Sequence, residues 1–64
     1  MSTRDPRKDP RPGDVVRLGK VAITVESNFH HWTIGYREKG VSHFCTIDMW
    51  KQSTSNAEVL HAAD

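Results

Sequence analysis

The chain has 64 residues and a mass of 7.3 kDa, which leaves room for one small domain. Hydrophobic residues make up 36% and charged residues 27%. This balance suits a compact body with a polar extension and excludes a deep substrate cleft, a cofactor-binding α/β sheet and a membrane span. The net charge of +1 is too small for whole-chain attraction to nucleic acid, but it is unevenly placed. Residues 1–20 hold six bases and three acids, whereas residues 21–64 hold three bases and five acids. Cys45 is the sole cysteine, so no intrachain disulfide forms. A secreted domain of this size is ordinarily stapled by bridges, and no apolar signal region follows Met1. The expected setting is cytoplasmic.

Residues 1–12 carry three prolines, alternating charges and no apolar side chain after Met1. They read as a flexible, basic, proline-rich arm that buries nothing, each residue before a proline being pushed away from helix. Pro12-Gly13-Asp14 is a turn signal that opens the body, residues 13–60. Val15, Val16 and Leu18 make a first strand. Val21, Ile23 and Val25 alternate with Ala22, Thr24 and Glu26, the clearest strand pattern in the chain.

Residues 27–31 read as a polar connection, followed by a third strand in which Trp32, Ile34 and Tyr36 share a face. Glu38-Lys39-Gly40 is a hairpin connection in which Gly40 supplies a positive φ. Val41, His43, Cys45 and Ile47 then alternate with Ser42, Phe44 and Thr46 as a fourth strand. Asp48 is expected to cap a single helical turn over 48–52, from which Trp50 covers an open end of the body. Residues 57–60 complete the pattern as a short fifth strand with Val59 inward, and 61–64 form a tail.

Four strands, one helical turn and a fifth strand without disulfides predict an all-β, five-stranded, mostly antiparallel sheet that curls towards closure. The element order and the opening Pro12-Gly13-Asp14-Val15-Val16 resemble SH3-like barrel modules of the Tudor-like and KOW-like kind, over residues 12–60. Many small phage, prophage and plasmid proteins also look like this. The resemblance implies an accessory or inhibitor protein of a mobile element that contacts a nucleic-acid-handling partner.

Two chemical readings of the side chains carry little. His43 and Cys45, two apart on a strand, share a face, and with His30 or His31 they would make a three-ligand zinc site. Neither C-x-x-C nor H-x(3–5)-H spacing occurs, and a small core cysteine beside rim histidines is the simpler reading. A Cys–His nucleophile needs an exposed, acidified thiol beside an oxyanion site, which five short strands do not supply. No phosphate-cradling glycine loop is present, and no carboxylates pair on one face. The expectation is a protein that is not an enzyme and carries no cofactor.

The aromatics are more informative. With Val41, Cys45 and Ile47 inward, period two sends Phe44 outward, whereas a bulge would turn it inside. Phe29 is expected at an exposed tip. Phe29, Trp32 and Phe44, with Arg37, Lys39, Arg17 and Lys20, are therefore the candidate binding residues. They would anchor a protein interface or stack on the bases of a nucleic acid. Arg4, Arg7, Lys8 and Arg11 could lie along phosphates, but Asp5 and Asp9 cut their field. The leading expectation is a non-catalytic module for a protein partner, with a weak homodimer centred on the fourth strand as one form. Direct DNA or RNA binding is the alternative.

Overall fold

The computed structural model describes residues 4–30 and 32–63. Its elements are β1 (Val15–Leu18), β2 (Val21–Phe29), β3 (Thr33–Glu38), β4 (Val41–Thr46), α1 (Ile47–Ser53) and β5 (Glu58–His61). All five strands lie in one sheet in the order β4-β3-β2-β1-β5, and every pairing is antiparallel. The all-β architecture with one short helix before the last strand is thus the one its alternating pattern predicts. Among the described residues β4 and β5 remain the two edges of the sheet.

Side-chain alternation builds the core. Val16 from β1, Ile23 and Val25 from β2 and Ile34 from β3 point to one face and are buried with Trp50 of α1 and Ala57. Lys39 and Gly40 both have positive φ, 52° and 80°, which is the geometry of a two-residue hairpin whose twist matches its strands. Gly40 takes this conformation freely, whereas Lys39 adopts it at a cost that only glycine, asparagine and aspartate largely avoid.

Several elements differ from their expected bounds, each for a local reason. β2 runs on to Phe29, so residues 27–29 belong to a strand and not to a connection. The register slips between Val25 and Ser27, a bulge at Glu26. Before it, odd-numbered residues face the core. After it Asn28 does, opposite Ile34, while Ser27 and Phe29 turn to the outer face.

The helix cap is Thr46, whose hydroxyl accepts from Met49 N at 3.3 Å, so Asp48 sits in the first turn instead of capping it. Trp32 ends one residue before β3 and is 71% exposed, outside the core face it was expected to share. Val41 is exposed at the hairpin end of its strand, and Val59 is exposed on the edge strand while Ala57 takes the buried place.

The largest difference is residues 4–12, which pack against the body. Asp5 caps a single helical turn: its Oδ1 accepts from Arg7 N at 2.9 Å, Pro6 follows it, and its carbonyl accepts from Asp9 N at 2.8 Å. Pro6 and Pro10 are fully buried. Trp50 Nε1 donates to the Pro6 carbonyl at 2.9 Å, and Asn28 Nδ2 to the Pro10 carbonyl at 2.6 Å. The Thr54 hydroxyl, donating to Trp50 O at 2.7 Å, lies 3.3 Å from the Arg7 carbonyl. Trp50 therefore does cover one end of the core, but as the floor on which these prolines rest.

A buried ion pair fastens this segment. The Asp14 carboxylate has no exposed surface and takes both terminal nitrogens of the Arg4 guanidinium, Nη2 at 2.9 Å on Oδ1 and Nη1 at 2.5 Å on Oδ2. It also accepts from Arg11 N at 2.8 Å and from Ala63 N at 2.7 Å. Arg4 further donates to the carbonyls of Asp9 and Ala63. Residues 61–63 are accordingly no loose tail: His61 closes β5 and Ala63 is held by the pair.

Candidate interaction surface

The outer face of β2, β3 and β4 gathers an aromatic pair. Phe29 and Phe44 are 52% and 67% exposed, with ring centroids 6.4 Å apart and planes tilted by 33°. Between them lies Gly35, the register partner of both Ser27 and Phe44. A Cβ on Gly35 would stand 2.3 Å from Ser27 Oγ and 3.1 Å from the Phe44 ring. Glycine there leaves room for the edge of the Phe44 ring to approach the β3 backbone. Two features thus build the surface: the bulge that re-aims Phe29 and the missing side chain that seats Phe44. The expected exposure of both rings is what the structure has, although Phe29 reaches the face from a strand.

The other half of this outer face is polar and internally paired. Arg37 Nη2 lies 3.1 Å from Glu26 Oε2, and Ser42 Oγ donates to Glu26 Oε1 at 2.9 Å. Arg17 donates to Glu58 Oε1 at 2.8 Å across β1 and β5. Of the remaining candidates, Lys20 and Lys39 sit in the two tight turns, away from the rings in sequence register. Trp32 joins the turn after β2, its N–H donating to Phe29 O at 2.9 Å. The seven candidate residues thus divide, with Phe29 and Phe44 in contact and the cations spread along the sheet. Ser27, Glu26 and Gly35 complete the face without having been expected. A glycine inside an alternating strand was the available signal for Gly35.

His43 and Cys45 share the core-side face as expected. His43 stacks on Tyr36 at 5.3 Å between ring centroids, and Cys45 is half-buried. His30 has φ 57° in the turn after β2, while His31 lies outside the described residues. Among the described residues no three His, Cys, Asp or Glu side chains gather closely enough to hold a metal ion. Burial pushes the Cys45 thiol up from its ordinary value, the reverse of an activated nucleophile. Burial likewise raises Tyr36, helped by Cys45 and Glu38 nearby.

Two hollows flank α1. One of about 350 Å³ is lined by Asp5, Arg7, Lys8, Lys51 and Ser55. The other, about 220 Å³, lies over the core between Leu18, Tyr36, Glu38, Cys45 and Met49, with Trp50 at its base. In the first, Asp5 is engaged by Arg7 through N, Nε and Nη2 at 2.9, 3.1 and 3.0 Å, and these bonds hold its carboxyl below the usual range. Among the described residues, no helix is long and apolar enough to cross a membrane. No family model, curated protein sequence or solved structure matches the chain.

Proposed function

We propose that this protein is a non-catalytic binding module that recognises another protein through the outer face of β2, β3 and β4. The observation that carries the reading is the Phe29–Phe44 pair, left half or more exposed on a rigid strand platform and seated over Gly35. Aromatic anchors on rigid elements lose little conformational freedom on binding, and such residues concentrate binding energy at interfaces. The strand order and the helix before the last strand support an SH3-like module. By that likeness the partner is a nucleic-acid-handling protein and the setting a phage or plasmid accessory system in a reducing cytoplasm.

A protein partner is favoured over nucleic acid because the arginines are already paired. Arg4, Arg7, Arg17 and Arg37 each contact a carboxylate within 3.1 Å, and Arg11 lies 3.7 Å from Asp9. A dedicated phosphate-binding stripe would leave its cations open. The test compares proteins retained from the source cell by the native chain and by a Phe29→Ala/Phe44→Ala variant of unchanged melting temperature. One defined partner, bound by the first and lost by the second, is the expected result. Equal retention by both would remove the aromatic face from the function.

A further inference from the structure

We propose that β4 is the seam of a homodimer in which two copies pair antiparallel along this edge with Phe44 on the two-fold axis. The inference goes beyond the reading above, since it rests on backbone groups at the edge of the sheet.

The direction of those groups follows from one hydrogen bond. Ile47 N donates to Trp32 O at 2.8 Å, so Trp32 and Ile47 form a hydrogen-bonded pair in the β3–β4 ladder. Hydrogen-bonded and non-bonded pairs alternate in an antiparallel ladder. Cys45, His43 and Val41 therefore turn their N–H and C=O towards Ile34, Tyr36 and Glu38, their register partners. Ser42 and Phe44 turn theirs to the open edge, and Thr46 turns its N–H there, its carbonyl being taken up by the first turn of α1 as its cap.

The composition of this edge favours an identical partner. The six residues of β4 include no Lys, Arg, Asp, Glu or Pro, and none is fully buried. Natural sheets blunt open edges with charge, proline, bulges or short strands, and β4 has none of these. The opposite edge is guarded: β5 has four residues, carries Glu58 against Arg17, and meets a register slip in β1. The charged pair nearest β4 on the outer face, Arg37–Glu26, is internally neutralised. A neutral edge meets its own copy without repulsion and offers nothing to attract a charged strand.

Pairing within these constraints sets the register. With Phe44 facing its own copy, the two Phe44 residues exchange both backbone bonds, and Thr46 of each chain donates its N–H to the Ser42 carbonyl of the other. The four phenylalanines then form one row on the outer face. A seam of six residues a side lies at the small end of interfaces, so the dimer is weak and exchanging.

Sedimentation velocity of the full chain from about 10 micromolar to about 1 millimolar tests this. The native protein is expected to pass from monomer to dimer across that range. Ser42→Pro removes the outward N–H and, with it, the exposed Ser42 Oγ–Glu26 bond, which Ser42→Ala removes alone. The proline variant keeps the aromatic pair and should weaken self-association at least about tenfold relative to Ser42→Ala, with its far-ultraviolet spectrum unchanged. Because Phe29 and Phe44 remain, any partner captured through the aromatic face is still bound by this variant, so the two readings fail separately. Phe44→Glu and Phe44→Lys should each be monomeric, and mixing them should restore the dimer. A native chain that stays monomeric throughout, or a Ser42→Pro variant that associates like the native one, overturns the seam. A mixture that fails to recover overturns the position of Phe44 on the axis.

Discussion

Asp14 shows how much one side chain settles in a body this small. Burial alone would push its carboxyl up, but bonds from Arg4, Arg11 N and Ala63 N outweigh burial and hold it below the ordinary aspartate range. The unfolded chain therefore takes up this proton first. The stability Asp14 contributes is complete above about pH 3.9 and drains away as pH falls towards its folded value. Urea midpoints measured from neutral pH down to that region should fall, and the Asp14→Asn variant should lose part of this slope. Asp14→Ala leaves the Arg4 guanidinium buried without its anion and should cost about 3–5 kcal/mol by urea titration at neutral pH. Phe44 is the opposite case. Its ring is 67% exposed, so Phe44→Ala should change stability by less than about 1 kcal/mol. A loss of about 3–5 kcal/mol by the same titration, as for a buried phenylalanine, would place it in the core.

Among the elements, the strands were legible and the arm was not, for different physical reasons. Val21, Ile23 and Val25 alternate with small or polar residues, and a half-buried strand requires that pattern wherever it sits in the sheet. The bulge at Glu26 adds one residue and uses no glycine, so nothing in the pattern marks it, yet it decides which way Phe29 points. The arm's composition suggests an open chain because its apolar surface is carried by Pro6 and Pro10. Whether a proline is buried depends on a partner far along the chain, here Trp50, 44 residues away. The local signal was present all the same: Asp5-Pro6 is a cap followed by the residue best suited to a helix start. It follows that removing residues 1–12 uncovers Trp50 and leaves Asp14 without Arg4. Such a truncation should lower stability by at least about 3 kcal/mol or prevent folding, read by thermal melting and near-ultraviolet circular dichroism. An unchanged melting temperature would mean that the segment adds nothing to the core.

At the scale of the whole molecule, each arginine is paired with a carboxylate, and the surplus of residues 1–20 falls to Lys8 and Lys20. Basic residues 4, 7 and 11 meet Asp14, Asp5 and Asp9, Arg17 meets Glu58, and Arg37 meets Glu26. The +3 of residues 1–20 in the sequence is therefore no exposed arm of phosphate contacts. Binding to random-sequence duplex DNA, followed by fluorescence anisotropy over a range of salt, should show a log–log slope shallower than about −2. A slope near −4 would mean that about four cations reach phosphate at once, more than Lys8 and Lys20 supply.

The clasp of Arg4, Asp14 and Ala63 also fixes an order of events in time. Arg4 and Ala63 lie 59 positions apart, whereas β1 with β2, β2 with β3 and β3 with β4 are sequence neighbours joined by short turns. The three hairpin ladders close much shorter loops than the clasp does, so they are expected to form before the two ends of the chain meet. Until then the Asp14 carboxylate stays in water, and the end of the core under Trp50 stays open. The clasp thus closes late, over a barrier already crossed. Arg4→Met should accordingly hasten unfolding in stopped-flow dilution while leaving the refolding rate nearly unaltered, as for contacts absent from a transition state. Equal effects on both rates would place the two ends of the chain together before the sheet is complete.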